Sequence, residues 1–341
     1  MTGARVLVVG GAGYIGTHMV LALLEAGHEV IVLDDLSQGN LDLLPGGDFI
    51  QGDLGDRGLL DGLFGRGRVD AVMHFAAHAR VGESVGEPLK YWDNNVARTV
   101  ALLSAMVRRG VGRFLFSSSA AVYGEPERVP IVESHPCRPT NPYGRTKRAV
   151  EELLAQCDAA YGLRSMCLRY FNAAGADPAG RLGERHRPET HLIPLVLEAA
   201  GGRSGPVRIY GTTYPTPDGT CVRDFVHVSD LVQAHLLALE ALLDGAPSAV
   251  YNLGSGRGRS VREVIALARR VTGRPIESVE AGPRPGDPAV LVAGSDRIRA
   301  ELGWRPQWDD LEAILETAWA WQLKEASRPV RPGDGGGPGA G

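Results

Sequence analysis

A chain of 341 residues, 44% of them apolar, carries enough hydrophobic material for one large α/β domain or two unequal lobes. A net charge of −4 with acidic and basic residues mixed along the chain argues against a nucleic-acid or membrane-surface partner. No apolar run is long enough to span a bilayer, and Cys137, Cys157, Cys167 and Cys221 have neither metal-like nor disulfide-framework spacing, which points to a reduced, cytoplasmic setting.

Arg5 to Val9 reads as a buried strand, entered with no signal peptide before it. Gly10-Gly-Ala-Gly13-Tyr-Ile-Gly16 follows at once, then an apolar helical run over about His18 to Ala26, then a second strand from Val30 to Leu33 that ends in Asp34 and Asp35. This is a β-α-β unit with glycines at its first turn. Gly10 permits the sharp turn, Gly13 lets a pyrophosphate approach the backbone, and Gly16 lets the helix pack closely on the strand. The helix start then offers unpaired N–H groups and a partial positive charge to the phosphates. Asp34 stands 18 residues past Gly16, where a carboxylate accepts both ribose hydroxyls and repels a 2′-phosphate, so NAD is favoured over NADP. A purely structural glycine turn would not need that acid.

Phe49 to Leu54 reads as a third strand with Asp53 near its end, placed to meet an adenine amino group. Ala71 to Ala77 is a fourth strand whose small C-terminal residues let the cofactor come close. His74 and His78 lie on a strand end and a loop, so ordinary packing is expected of them rather than metal binding, and no other set of residues suggests a metal centre. Tyr91 to Arg109 reads as one long amphipathic helix containing Asn94 and Asn95. The fifth strand, Arg113 to Ser117, runs into Ser117-Ser-Ser119-Ala-Ala-Val-Tyr123-Gly, hydroxyls facing the same cleft as the glycine turn. Ser119 can orient a substrate oxygen; a turn or helix cap is the plainer use of such serines.

Tyr143-Gly-Arg-Thr-Lys147 opens the next helix, with the phenol and the ammonium four positions apart on one face. A cation beside a phenol favours the phenolate, and a phenol tuned down from about 10 can take a proton from an alcohol. The chain uses arginine almost everywhere else, its lysines being only Lys90, Lys147 and Lys324. Beyond about Arg328 the chain is rich in Pro and Gly, and we expect residues 328–341 to be a disordered tail.

The glycine turn, Asp34, Ser119 and Tyr143-x-x-x-Lys147 together resemble the extended short-chain dehydrogenase/reductases. Val81-Gly-Glu-Ser84, Asp93-Asn-Asn-Val96, Leu168-Arg-Tyr-Phe-Asn172, Asp218-Gly-Thr-Cys-Val-Arg-Asp224 and Tyr251-Asn-Leu-Gly254 narrow the resemblance to the UDP-glucose 4-epimerase group, over about residues 4 to 325.

The resemblance implies a Rossmann-type doubly wound parallel sheet with a smaller C-terminal α/β substrate lobe. It divides the chain into residues 1–172, with a returning segment near 223–243 starting in the strand at Arg223, and an interleaved lobe over 173–327. It implies bound NAD, contacted by Gly10, Gly13, Tyr14, Ile15, Gly16, Asp34, Asp35, Asp53, Leu54, Phe75, Ala76, Ala77, Asn94, Tyr143, Lys147 and Tyr170. Tyr143, assisted by Lys147 and Ser119, would take the proton from the sugar 4-OH while the C4 hydride passes to NAD; the 4-keto sugar turns over and the hydride returns to its other face. That interconverts UDP-glucose and UDP-galactose. For the UDP-sugar the resemblance implies Ser119, Asn172, His191 and Leu192, then Arg208, Ile209 and Tyr210 along the uracil, Arg223 and Arg284 on the diphosphate, Asp287 at the ribose and Leu291 at the sugar. Guanidinium forks suit phosphate oxygens. A homodimer through the helices around 96–109 and 145–161 is implied too.

Where related dehydratases carry an Asp-Glu pair after the catalytic hydroxyl residue, this chain has Ala120 and Ala121, which removes dehydration; related decarboxylases keep a Glu at the second position. His191 stands where Asn is frequent, Ala79 where some members have Lys, Val9 where Thr is frequent, and Leu291 is intermediate between a bulky and a small gate. Epimerisation of UDP-N-acetylhexosamines, UDP-glucuronate or UDP-xylose stays open, as does a non-catalytic NAD sensor.

Overall fold

The computed structural model describes residues 3–284 and 286–328, so most of the expected tail lies outside the described residues. The first half runs β1 (Arg5–Val9), α1 (Tyr14–Glu25), β2 (Glu29–Asp34), β3 (Asp48–Gln51), α2 (Arg57–Gly65), β4 (Ala71–His74), α3 (Val81–Gly86), α4 (Pro88–Trp92), α5 (Arg98–Arg108), β5 (Arg113–Ser119), α6 (Pro142–Tyr161) and β6 (Arg164–Tyr170). The second half runs β7 (Asn172–Ala174), α7 (Leu192–Ala200), β8 (Val207–Tyr210), β9 (Val222–His227), α8 (Val228–Leu243), β10 (Ala249–Leu253), β11 (Gly258–Ser260), α9 (Val261–Thr272), β12 (Ser278–Ala281), β13 (Val290–Leu291), α10 (Asp296–Glu301) and α11 (Leu311–Ala326).

Seven strands form one parallel sheet in the order β10-β6-β5-β4-β1-β2-β3. Strands buried on both faces need no polar alternation, and β1 shows this as Val-Leu-Val-Val, nearly inaccessible throughout. One face packs on α1 and α8 with Met19, Leu23, Leu231 and Trp304 in its core; the other packs on α2, α5 and α6 with Leu60, Leu102, Phe114 and Leu154. Strand order reverses between β1 and β4, and the carboxyl ends of the strands open into a crevice at that point. The smaller lobe builds β11-β9-β13 with β7 alongside, the pair β12-β8, and a core shared by α7, α9 and α11.

The returning segment divides differently from the sequence reading. β9 spends its backbone hydrogen bonds on β7, β11 and β13 and so belongs to the smaller sheet, while α8 lies on the large one. β10 then adds the edge strand beside β6. The long helix expected over Tyr91 to Arg109 is interrupted by a π-helical turn at Asp93–Ala97. Its cause is Asn95: the side chain accepts from His78 N at 2.9 Å and donates to His78 O at 3.0 Å and Thr146 Oγ1 at 3.1 Å, which widens the turn. α1 starts at Tyr14 rather than near His18, because Gly13 is already its N-cap.

Beneath the crevice, Arg169 of β6 and Glu151 of α6 form a two-pronged ion pair at 2.7 and 2.8 Å, each side chain only 3% exposed. Ser118 donates to the same carboxylate at 2.6 Å, and Arg169 donates to Tyr123 Oη, which donates to Asn252 Oδ1 of β10. Removing one partner leaves a buried charge unpaired, at a cost of about 3–5 kcal/mol. Arg169→Ala is therefore expected to lower the unfolding free energy by about that amount, read as a fall in the urea midpoint.

Candidate active site

The glycine turn is shaped by close approach. Gly10 has φ +78°, and a Cβ there would fall 2.4 Å from Ala76 N; at Gly16 it would fall 2.1 Å from Gly10 O. α1 begins with no side-chain cap and no acidic residue in its first turn, so its leading N–H groups keep their positive potential for a ligand. Asp34 takes Ala12 N on Oδ2 at 2.9 Å and Leu36 N on Oδ1 at 2.8 Å. Burial pushes its carboxyl up against those two bonds, and each oxygen retains a lone pair for a further donor.

These residues form one end of a cavity of about 1420 Å³ between the two lobes. From the glycine end its walls carry Gly10, Gly13, Tyr14, Ile15, Gly16, Asp34, Asp35, Leu54, Phe75, Ala76, Ala77 and Asn94. Ser119, Tyr143, Lys147 and Tyr170 follow in the middle. Asn172, His191, Leu192, Arg208, Tyr210, Arg223, Arg284, Asp287 and Leu291 lie toward the smaller lobe. Two expected residues are absent from the lining. Asp53 turns away: its carboxylate is held by Arg98 at 2.5 Å and by Gly55 N at 2.6 Å. Ile209 points into the core of the smaller lobe, because strand alternation puts Arg208 and Tyr210 on the opposite face. His78 reaches the cavity, whereas His74 is buried with Nε2 2.9 Å from Thr99 Oγ1, so the pair does not converge.

α6 is set by Asn141, whose Oδ1 accepts from Gly144 N at 2.9 Å, and by Pro142 in its first turn. A Cβ on Gly144 would meet Ala121 O at 2.3 Å, so glycine lets the helix start seat against the strand end that carries Ser119. Ser119 lies beside Tyr143, close enough for its hydroxyl to favour the phenolate, and its Oγ accepts from Ala121 N at 3.1 Å. Lys147 is 3% exposed; its Nζ donates to Ser117 O at 2.7 Å and lies 5.9 Å from the Tyr143 ring centroid.

The expected lowering of the Tyr143 pKa does not occur in the protein alone. Burial raises it and outweighs the neighbouring Ser119 hydroxyl, which lowers it. Burial also brings Lys147 down to about 7, with Glu151 one turn away opposing. Desolvation penalises phenolate and ammonium alike, and Lys147 spends its hydrogen bond on a backbone carbonyl rather than on the phenol.

On the smaller lobe Arg223 is ion-paired with Asp287, and the Arg284 guanidinium stacks 3.9 Å from the Tyr210 ring centroid. Nearby, Glu184, His186, Glu189 and His191 gather four donor atoms within 4.8 Å of one another, a cluster the sequence reading did not pick out. Its trace in the sequence is Glu-x-His-x-x-Glu-x-His.

A family model described as "NAD dependent epimerase/dehydratase family" matches residues 6–254. The chain belongs to this family. It is 53% identical over 320 residues to the UDP-glucose 4-epimerase of Streptomyces lividans, covering 93% of this chain and 95% of that one. It is 52% identical over 316 residues to the UDP-glucose 4-epimerase of Halalkalibacterium halodurans, with the same coverage. The fold matches the crystal structure of UDP-glucose 4-epimerase from Brucella ovis in complex with NAD, with TM-score 0.90, 46% identity, and 93% and 97% of the two chains covered. It also matches that from Bifidobacterium longum in complex with NAD+ and UDP, with TM-score 0.91, 38% identity, and 95% and 99% covered. The family description joins epimerases and dehydratases, and the cavity wall separates them: Ala120 and Ala121 line it beyond Ser119 and offer no acid or base.

The Lys147 shift gives a stability test. Its folded-state pKa of about 7 lies below the unfolded value of about 10.4, so the buried ammonium is costly below pH 7 and that cost fades as pH rises toward 10. Lys147→Met is expected to raise the urea midpoint most at about pH 6.5, with the gain shrinking by about pH 9.5.

Proposed function

We propose that this enzyme interconverts UDP-glucose and UDP-galactose by oxidising and re-reducing C4. The observation that carries the reading is that Tyr143, Lys147 and Ser119 line one cavity together with the glycine turn and with Arg223 and Arg284. A cavity of about 1420 Å³ has room for a dinucleotide and a nucleotide-sugar together.

In this reading Gly10, Gly13, Tyr14, Ile15 and Gly16 hold the NAD pyrophosphate, Asp34 and Asp35 the adenosine ribose, and Phe75 to Ala77 with Asn94 the middle of the cofactor. Tyr143, Lys147 and Tyr170 flank its nicotinamide. NAD, when bound, accepts the C4 hydride, returns it, and supplies a positive charge that favours the Tyr143 phenolate. Ser119 orients the sugar 4-oxygen, and Tyr143 takes the 4-OH proton and later gives it back. Arg223 and Arg284 grip the diphosphate, with Arg223 exchanging Asp287 for phosphate oxygens and Asp287 left to meet the uridine ribose. Arg208, Tyr210, Asn172, His191 and Leu192 enclose the nucleotide. Firm grip on the diphosphate with few contacts to the hexose lets the keto sugar present either face. Leu291, of intermediate size, lines the sugar end and leaves N-acetylated sugars as the second reading.

A homodimer is part of the proposal. Leu89, Trp92 and Val100 expose apolar side chains along the helical run from α4 to α5, Leu89 being 82% exposed. A reducing cytoplasm suits the four free cysteines, three of them buried. Among the described residues no helix is long and apolar enough to cross a membrane.

Product analysis with UDP-galactose and no added NAD tests the reaction. UDP-glucose should form, and Tyr143→Phe should lower kcat by about 10²–10⁴-fold while NAD stays bound. Turnover of UDP-N-acetylgalactosamine alone would move the substrate to the second reading, and no turnover of any UDP-sugar by NAD-loaded protein would overturn the epimerase reading. Leu89→Glu should convert the dimer to monomer in sedimentation velocity; a wild-type monomer would refute the dimer.

A further inference from the structure

The segment from Glu184 to His191 links β7 to α7 and forms part of the cavity wall. Two carboxylates are buried in it, the Glu184 and Glu189 side chains each 6% exposed. Two imidazoles face them. His191 Nδ1 lies 2.5 Å from Glu184 Oε1, and His186 Nδ1 lies 3.1 Å from the same oxygen. His186 Nδ1 and His191 Nδ1 each lie 3.6 Å from a Glu189 oxygen.

One donor atom from each of the four residues lies within 4.8 Å of the other three. Four N and O ligands at about 2.0 Å from a zinc ion stand about 3.3 Å from one another, so the four donor atoms need only a small adjustment to surround one ion. Hydrogen bonding accounts for only part of the cluster, pairing His191 Nδ1 with Glu184 Oε1. His186 Nδ1 is buried and, despite its nearness to Glu184, makes no hydrogen bond of acceptable direction. Its lone pair is left for something else. The carboxylate orientation is fixed independently: Glu189 Oε1 accepts from Thr190 N at 2.6 Å and His191 N at 2.8 Å. Backbone bonds of this kind hold a ligating carboxylate in place.

The geometry points to a structural divalent transition-metal site, of the zinc class, formed by Glu184, His186, Glu189 and His191. Two imidazoles argue against calcium or magnesium, which prefer oxygen alone. Two carboxylates and one divalent cation sum to zero charge, so the ligand set is electrically balanced with neutral imidazoles. All four positions are filled by protein, which is the pattern of structural rather than catalytic zinc.

The consequence is mechanical. Arg80 Nη2 donates to Pro188 O at 3.1 Å and Asn40 Nδ2 to Arg185 O at 3.0 Å, tying the segment to the NAD-binding side. Trp321 Nε1 donates to Glu184 O at 3.0 Å, tying it to α11 in the smaller lobe. An ion clamped between its two ends would stiffen the strap that joins the lobes. The site borders the nucleotide end of the cavity through His191, but its metal binding is read without any substrate and so is tested separately from the reaction proposed above.

The test uses the full-length protein. Metal content is measured by plasma mass spectrometry, the ion is removed with EDTA, and zinc is titrated back by calorimetry. Expected are one zinc per chain, a thermal midpoint several degrees higher with zinc than after EDTA, and cobalt(II) visible bands of a tetrahedral N2O2 site. His186→Ala and Glu189→Gln should each weaken zinc binding by at least about 100-fold and abolish the thermal shift. Glu189→Gln preserves the side-chain shape and the backbone acceptor, and its circular dichroism checks the fold, so it decides the matter if His186→Ala fails to fold. Absence of saturable one-to-one zinc binding in wild type, or unchanged affinity in folded Glu189→Gln, would overturn the site and place any zinc on adventitious groups.

Discussion

A lysine ammonium buried to 3% exposure must be compensated, and much of the site's architecture follows from how this is done. Lys147 donates to the Ser117 carbonyl at the end of β5 and has Glu151 one helical turn away. Glu151 is itself held by Ser118 and Arg169, and Arg169 passes the network through Tyr123 to Asn252. One ion pair thus fastens α6 to β5, β6 and β10. Buried polar networks of this kind are costly when partly satisfied and rigidifying when complete. The phenol of Tyr143 is placed by the same helix, so its position is set by charges that never touch a substrate.

The two ends of the cavity use different physics. At the glycine turn the backbone does the binding: bare N–H groups at a helix start, with a carboxylate anchored on neighbouring amides, leave little to rearrange. At the other end, long side chains are pre-paired with one another, Arg223 with Asp287 and Arg284 with Tyr210. Such pairs keep the guanidinium groups oriented, and in the proposed reading they would exchange one partner for another when a diphosphate arrives. A fixed cofactor end and an exchangeable substrate end are what an enzyme needs if it retains the first and releases the second.

Legibility in the sequence followed the range of the interactions. β1, the glycine turn, α1 and β2 were readable because a β-α-β unit is local and each glycine has a steric reason. Tyr143 and Lys147 were readable as a pair because four residues on a helix fix their side. Asp53 was misplaced because its partner, Arg98, lies 45 residues on, beyond any spacing rule. Ile209 went with its neighbours until strand alternation turned it inward. The strand at Arg223 was given to the large sheet, and only backbone pairing with β7, β11 and β13 assigns it to the small one. The Glu184–His191 cluster carries a regular spacing, but on a loop such spacing does not require the side chains to converge, so the pattern meant nothing until the chain was folded.

The sign of the Tyr143 shift is the most instructive mismatch. Spacing alone suggests that the ammonium lowers the phenol. In the folded chain both groups are desolvated, the phenol is pushed up and the lysine down to about 7. Near neutral pH the phenol is therefore neutral and the lysine is close to its own midpoint, so little net charge is stored beside the reacting centre before ligands bind. The phenolate that could take a proton from a sugar hydroxyl forms more readily when positive charge is added to the pocket, and the cavity reaches Tyr143, Lys147 and Tyr170. In the proposed reading, burial would make the base depend on an occupied cofactor end and so tie acid–base readiness to the redox partner without any moving part.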